Sequence, residues 1–595
     1  VLRLVSFLAP AAFGIWHESS APAWDSDLSA LGVFAGAARF QGVVSTLLGQ
    51  LAQALPLGSG HERAAVPGAL ALGVLGVTVF QLCSTLLASR AKAPRLNPLL
   101  AFAAAVTASL AGRSLGQGAL LGSSALPAAL SLATLLASGL LEPERRHRQS
   151  ADFAHRSVLV AALLGLTALE CVWAALPLVV CLLSGQFLRG LLPGKAQALL
   201  FGGTLGGVLA LGLLPAALAP LLQGAAAAPL AASLSGVALD MSALKSTWSG
   251  DGSVEAARGV LELAPWLDAV GLYALVMALF GAVIAVSDRR LRAPLAACAL
   301  LLASDLLLPR SSEHVLGAAG REVPHILALV GIALLGALGT QALAVLLGEI
   351  RFVGGRPAQA LLVVFTLALA WAGAEDSAQR LAARNERATE AWTDEALAAL
   401  PPRSLLVVRS EVVAYRLWAA SALGARSDVL VVPLPLLGRG SLAADLLTLE
   451  PKLALLIREL SVSGLPSEQA LTELSDARPL FVDVDPTWDK RLLDHLEPGV
   501  FFSRFAPHAL GRSDREAALA AGLLPFDRVL EQARASVKPD MATLWMLERG
   551  ALQQALLLEA LGDKADAQKL RARVQTLPAP NASDEAPATG PLAQR

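Results

Sequence analysis

The chain has 595 residues, 55% of them hydrophobic and 16% charged, with a formal net charge of -1 and a mean hydropathy of +0.58. Soluble domains carry about 25% charge, so this composition excludes an ordinary soluble protein. The near-zero net charge leaves no field to gather nucleic acid, which is not expected as a partner.

The apolar residues cluster in runs of about 17–25 residues, the length that suits a bilayer core. About eleven candidate spans lie near 1–15, 66–89, 97–112, 126–141, 157–170, 172–188, 197–222, 266–287, 293–308, 323–348 and 357–374. The first is read as a retained helix, not a cleaved signal. The runs flanking Cys171 read either as two spans or as one long helix kinked near Pro177. Cys83, Cys171, Cys181 and Cys298 all stand within apolar runs, which suits small buried hydrophobes better than a disulfide framework or a zinc site. Glu170 and Asp305 lie within or near such runs, where an acid is costly and often functional. The expectation adopted for both is a position at a span end facing water.

The basic residues give an orientation. Arg90, Lys92 and Arg95 follow the second span, and Arg145, Arg146, Arg148 and Arg156 the fourth. Arg189 and Lys195 follow the sixth, Arg289, Arg290 and Arg292 the eighth, and Arg351 and Arg356 the tenth. The clusters fall after every even-numbered span, and the positive-inside rule makes those loops cytoplasmic. The loop after the first span, the 223–265 and 309–322 loops, and everything beyond 375 are then expected on the outer face. Lys245, Trp248 and Asp251 fall in the large outer loop, on the side suited to sugar or acceptor contact, although a Trp there also serves as an interface anchor. Arg321, Glu322 and His325 open the tenth span from outside. They read either as cavity-lining groups or as an ordinary charged helix start.

Composition changes near residue 375. A charged helical linker is expected over 375–400. Strand-like runs Ser404–Arg409, Asp428–Pro433 and Pro479–Asp485 then alternate with helical patterns at 411–424, 440–461 and 466–476. This alternation predicts a small parallel α/β domain over 401–513. Its strands carry no Gly-rich phosphate fingerprint. Amphipathic helices follow over 514–577, Leu547 to Leu570 resembling one helical hairpin of a repeat. The Ala-, Pro- and Ser-rich tail 578–595 is expected to be disordered.

The polar loop after the first span brings Asp25 and Asp27 together at a membrane surface, before a run from Leu28 to Leu57 too broken by Gly, Gln and Arg39 to span a bilayer. The pair reads as a place for chemistry or as acids that keep a loop in water. No His, Asp or Glu cluster has metal-ligand spacing, so no metal is expected, and no cofactor is implied.

Asp25-Ser26-Asp27-Leu28-Ser29-Ala30, Gly36-Ala37-Ala38-Arg39-Phe40-Gln41-Gly42, Leu47-Leu48-Gly49 and Leu55-Pro56-Leu57-Gly58 form a motif series. It resembles the first outer loop of bacterial membrane proteins related to protein O-mannosyltransferases, within the GT-C class of polytopic glycosyltransferases. Leu400-Pro-Pro-Arg-Ser-Leu-Leu-Val-Val and Arg426-Ser-Asp428-Val-Leu-Val-Val resemble strands of the same family. The sequence departs from the family pattern in three places, one of them the Asn near the second span, which is not evident after Arg63. A Gly between Ser26 and Asp27 is absent, and Arg39-Phe40-Gln41-Gly42-Val43-Val44 stands for His-Pro-x-Gly-Tyr-Pro.

The resemblance implies a mainly α, GT-C-like transmembrane domain over 1–374, ahead of an extracytoplasmic α/β domain and C-terminal helices. It implies a multi-pass protein of the bacterial inner membrane that takes a sugar from a polyprenyl-phosphate donor in the lipid to a protein or glycan acceptor. It maps the family's loop carboxylate onto Asp25, as general base, with Asp27 as its neighbour. Arg39 then either stabilises the departing phosphate or pairs with Asp27, and Lys245, Trp248, Arg321 and His325 are candidate substrate contacts. The alternative is a catalytically inactive relative acting as a membrane scaffold.

Overall fold

The computed structural model describes residues 1–16, 43–56, 60–88, 96–111, 114, 125–140, 150–188, 195–223, 263–307, 313–349, 355–383, 389–422, 426–434, 437, 440–463, 465–484, 488–499, 501–535 and 541–575. They fall into two compact units, one within 1–382 and one within 383–595.

The first unit is helical: α1 (Leu2–Trp16), α2 (Val43–Gln53), α3 (Gly60–Ala88), α4 (Asn97–Ser109), α5 (Ala125–Ser138), α6 (Ser150–Glu170), α7 (Val172–Leu188), α8 (Lys195–Gln223), α9 (Ala264–Ser287), α10 (Arg292–Leu307), α11 (Glu313–Glu349) and α12 (Gly355–Ala383). Each of the eleven apolar runs contains a helix, as Ala- and Leu-rich sequence favours. Among the described residues, four stretches are long and apolar enough to cross a membrane: Glu62–Ala88, Ala264–Ser287, Glu322–Glu349 and Arg356–Ala378.

Helix α11 is the hub of this unit. Its apolar window is 94% buried, against 17% in α9 and in α12, so α11 packs on protein while the other two turn apolar side chains outward. Small residues allow the close approach. A Cβ at Gly339 would strike the Met277 carbonyl, and one at Gly281 the Leu335 carbonyl, so α9 and α11 cross backbone to backbone. The chain between α6 and α7 breaks at Cys171, where Cys171 N–H still bonds Thr167 O at 2.7 Å. Pro177 sits inside α7, so the break comes six residues before the expected kink. All four cysteines are buried thiols outside any disulfide. Helix α12 runs on to Ala383, and the change of composition at 375 therefore falls inside a helix.

The second unit contains α13 (Thr389–Ala398), β1 (Leu405–Val408), α14 (Glu411–Ala422), β2 (Leu430–Pro433), α15 (Gly440–Leu449), α16 (Leu453–Ser463), α17 (Glu468–Ala477), β3 (Leu480–Val482), α18 (Lys490–Leu493), β4 (Leu496–Glu497), β5 (Ser503–Phe505), α19 (Arg512–Ala535), α20 (Met541–Ala560) and α21 (Lys564–Gln575). The sheet order is β2-β1-β3-β5-β4. Strands β1, β2 and β3 are parallel, with Leu405 opposite both Leu430 and Leu480. The β5 strand is antiparallel to β3 and to β4, which makes the sheet mixed, not purely parallel. Two- and three-residue strands carry too little alternation to be read from sequence. The single helical pattern expected over 440–461 is two helices, because Pro451 cannot donate to the ladder. The hairpin of α20 and α21 turns through Gly562 at φ 91°, a left-handed conformation that glycine adopts without strain.

The two faces of the sheet are covered by apolar side chains of the helices. Trp392, Leu406, Val408, Phe481 and Phe526 belong to one buried cluster. The strand order reverses between β1 and β3, the place where open α/β sheets bind ligands. Here that point is occupied by an ion pair. Asp483, directly after β3, accepts from the Arg409 N–H at 3.1 Å and from Arg549 Nη2 of α20 at 2.6 Å.

Candidate functional site

Asp25, Asp27, Arg39, Lys245 and Trp248 lie outside the described residues. Arg321 is on α11, ahead of the first described side chain of that helix, Glu322. Among the sequence-derived candidates, His325 is the one whose side chain the structure places. It does not line an open cavity, because it is 1% exposed.

His325 stands one residue after Pro324 on α11. Its Nδ1 lies 3.0 Å from Asp305 Oδ2, in the last turn of α10. Trp266, in the first turn of α9, donates its Nε1–H to the same oxygen at 2.5 Å. The start of α9, the end of α10 and the body of α11 thus converge on one carboxylate. The sequence reading placed Asp305 at a span end facing water; the structure corrects this, since Asp305 is buried at 4% exposure. A buried carboxylate is tolerated when donors surround it, and the two ring N–H groups supply them.

This geometry fixes a tautomer. An ionised Asp305 accepts from Nδ1–H, so the neutral imidazole carries its lone pair on Nε2. His325 Nε2 is buried and has no hydrogen-bond partner among the described residues. It can therefore accept a proton or a donor hydrogen from a group brought to it, while Asp305 holds the ring in place.

Glu170 is the second correction. Expected at a water-facing span end, it is buried at the end of α6. Its carboxylate accepts from the Ser45 backbone N–H at 2.9 Å and from the Ser45 hydroxyl. Ser45 belongs to α2, inside the run judged too broken to span. The short helix is therefore anchored by its first turn to the end of α6, an arrangement suited to an acid near a helix N-terminus. Among the described residues no three His, Cys, Asp or Glu side chains stand together as a metal-binding group.

Sequence reasoning noticed Asp305, Glu170 and His325 separately and missed their partners, Trp266 and Ser45. The one available signal was the cost of an ionisable group in an apolar run, which says that a partner exists but not which residue it is.

No protein family matches the sequence, and no curated protein matches it. Among solved structures, ArnT from Cupriavidus metallidurans bound to undecaprenyl phosphate superposes with a TM-score of 0.50. It is 12% identical, over 80% of this chain and 92% of that one. ArnT from the same organism in the apo state gives 0.49 at 13% identity, over the same shares. The likeness is one of fold. The chain shares that fold, and its apolar helices mark an integral membrane protein.

Proposed function

We propose that this protein is a membrane glycosyltransferase that moves a sugar from a polyprenyl-phosphate donor to an acceptor on the extracytoplasmic face. The observation that carries the reading is the fold likeness over 80% of the chain to ArnT, a protein solved with undecaprenyl phosphate bound. The first-loop motif series adds the relationship to O-mannosyltransferases. In this reading all eleven apolar runs cross the bilayer, and the loop after α1 and the C-terminal unit lie outside.

The chemistry asked of the site is short. The acceptor O–H attacks the anomeric carbon, whose bond to the phosphate oxygen breaks, and the polyprenyl phosphate leaves with the bonding pair. Asp25 takes the acceptor's proton as attack proceeds, and Asp27 raises the proton affinity of its neighbour. Arg39 meets the phosphate oxygens with a two-point fork. Lys245, Trp248 and Arg321 contact sugar or acceptor. His325, held by Asp305, offers its bare Nε2 to a substrate hydroxyl once the surrounding segments admit one.

The test is transfer from a polyprenyl-phosphate sugar in reconstituted membranes. Asp25→Asn keeps the size of the side chain and removes the proton acceptor, so the rate should fall by about 10²–10⁴. Stability should hardly change, because in this reading Asp25 meets water, where a carboxylate contributes little to folding. An unchanged rate would sink the catalytic assignment. The second reading, a non-catalytic scaffold, is favoured by the one-residue contraction beside Asp25. It becomes the better one if the wild type transfers nothing from any such donor.

A further inference from the structure

Helix α2 is 11 residues long, about 16 Å from end to end, against a bilayer core of about 30 Å. It is too short to cross. It packs on α3 and α6, and residues 43–56 contain no Asp, Glu, Lys, Arg or His.

Both ends of α2 are pinned by charged side chains of those two neighbours. At its start, Glu170 of α6 accepts from the Ser45 N–H at 2.9 Å, from the Ser45 hydroxyl and from the Val44 N–H. Gly42, the residue before the helix, has no side-chain oxygen. The acid from α6 therefore caps the helix as a local Ser, Thr, Asp or Asn does elsewhere. Just past the other end, Arg63 Nη1 of α3 donates to Leu55 O at 3.1 Å. An acid at the N-terminus and a base at the C-terminus both agree with the helix dipole. Two pins at opposite ends also fix the roll of the helix about its axis, and so which edge faces outward.

The edge turned inward is small. Ser45, Gly49 and Ala52, at i, i+4 and i+7, are buried, and small residues let a helix lie close to its neighbours. The edge turned outward is leucine. Leu47 and Leu51, at i and i+4, are 52% and 66% exposed, and Leu55 just beyond the helix is 42% exposed. Gln53 lies between the two edges and is half-buried. In water such a helix gains by rolling its leucines onto the core. Here the pins at Glu170 and Arg63 hold them away from it, which suits hydrocarbon as the outer neighbour. The adjoining α3 turns Leu70 and Val74 outward in the same bundle.

We propose that α2 is an interfacial helix. It lies along the bilayer surface at the end where α3 begins, with Leu47, Leu51 and Leu55 among the acyl chains of one leaflet. Glu170 and Arg63 are the positioning residues that set its roll. With no charge on the segment, the contact is with hydrocarbon and is indifferent to anionic headgroups. It does not depend on sugar transfer.

The experiment spin-labels the full chain at one added cysteine, Leu47→Cys, Leu51→Cys or Gln53→Cys, in phosphatidylcholine liposomes. The four native thiols are buried, and the wild type treated with the label supplies the background. Collisions with oxygen, which concentrates in hydrocarbon, are compared with collisions with a neutral, water-soluble nickel chelate. The oxygen-to-nickel ratio at 47 and 51 should exceed that at 53 several-fold. It should stay the same when phosphatidylglycerol is added. Glu170→Gln leaves one acceptor oxygen in place of two and should narrow the difference between 51 and 53. The measurements with Glu170 intact stand whether or not that variant folds. Nickel-dominated collisions at 47 and 51 put the leucines in water and overturn the proposal. Shielding from both reagents also overturns it, since a second copy or another protein then covers the edge. So does a ratio that rises with anionic lipid, and an unchanged contrast in folded Glu170→Gln removes the role given to the acid.

Discussion

Asp305 in the first unit and Asp483 in the second are both buried, and they are satisfied in opposite ways. Asp305 in the membrane unit accepts from two aromatic ring N–H groups, those of Trp266 and His325. Asp483 in the C-terminal unit accepts from a guanidinium, Arg549, and a backbone N–H, Arg409. Arg cannot give up its proton in a protein, so the second arrangement is locked in one charge state. Histidine can donate from either ring nitrogen, so the first is not fixed in the same way. The lesson is that burial of an acid does not by itself mark a working site. The partner decides, and an unlocked partner with a bare nitrogen is the one that can take part in chemistry.

This contrast can be broken by substitution. The larger effect belongs to the locked pair. Asp483→Asn removes the counter-charge of Arg549, and loss of one member of a buried ion pair costs about 3 kcal/mol or more. The denaturant midpoint of the C-terminal transition should drop accordingly. Asp305→Asn leaves the Trp266 and His325 ring N–H groups, which share one oxygen, on an uncharged amide oxygen and so weakens both bonds. About 1–3 kcal/mol is expected for a disturbed buried hydrogen bond, read from thermal unfolding in detergent. If the two substitutions cost the same, the distinction between locked and unlocked acids fails.

The smallest effect sharpens the comparison with a half-buried acid. Asp428 accepts from Arg426 Nε at 2.9 Å and from the Arg403 N–H at 2.7 Å. The Arg426 hydrogen bond, then the Arg403 one, hold its carboxyl down at about 2. A depressed folded-state value means that the stabilisation is complete above the unfolded value of about 3.9. It is lost as pH falls through about 2. Melting temperature should therefore fall between about pH 4 and pH 2, and Asp428→Asn should flatten part of that fall. An identical acid slope in the variant would show that the Arg426 contact carries no linkage. Arg426 also donates to Leu397 O, Leu400 O and Pro401 O, so it keeps a capping role when Asp428 is neutral.

Much of the architecture was legible before any coordinates. The Ala- and Leu-rich runs became helices, and the three strand-like runs after 400 became β1, β2 and β3 in parallel. The elements that were not legible are those with little periodic sequence. Strands β4 and β5 are too short to alternate, and the break at Cys171 carries no proline or glycine of its own. The candidate site was legible only in parts. His325 and Asp305 each stood out as ionisable groups near apolar sequence, but the sequence reading turned Asp305 toward water, because nothing local showed that α9 and α11 would close over it.

What the sequence by itself determined is therefore the membrane character, the helices and the α/β alternation. Hydropathy, propensity and period are properties of neighbouring residues, and a chain carries them before it folds. Only the tertiary structure decided that Ser45 would hold Glu170 across 125 residues. It alone brought Trp266 to Asp305 across 39 and His325 to the same oxygen across 20. An acid in an apolar segment demands donors but does not name them. Which donors arrive depends on how the glycine contacts between α9 and α11 set the helices against one another, and that is settled by packing among segments far apart in the chain.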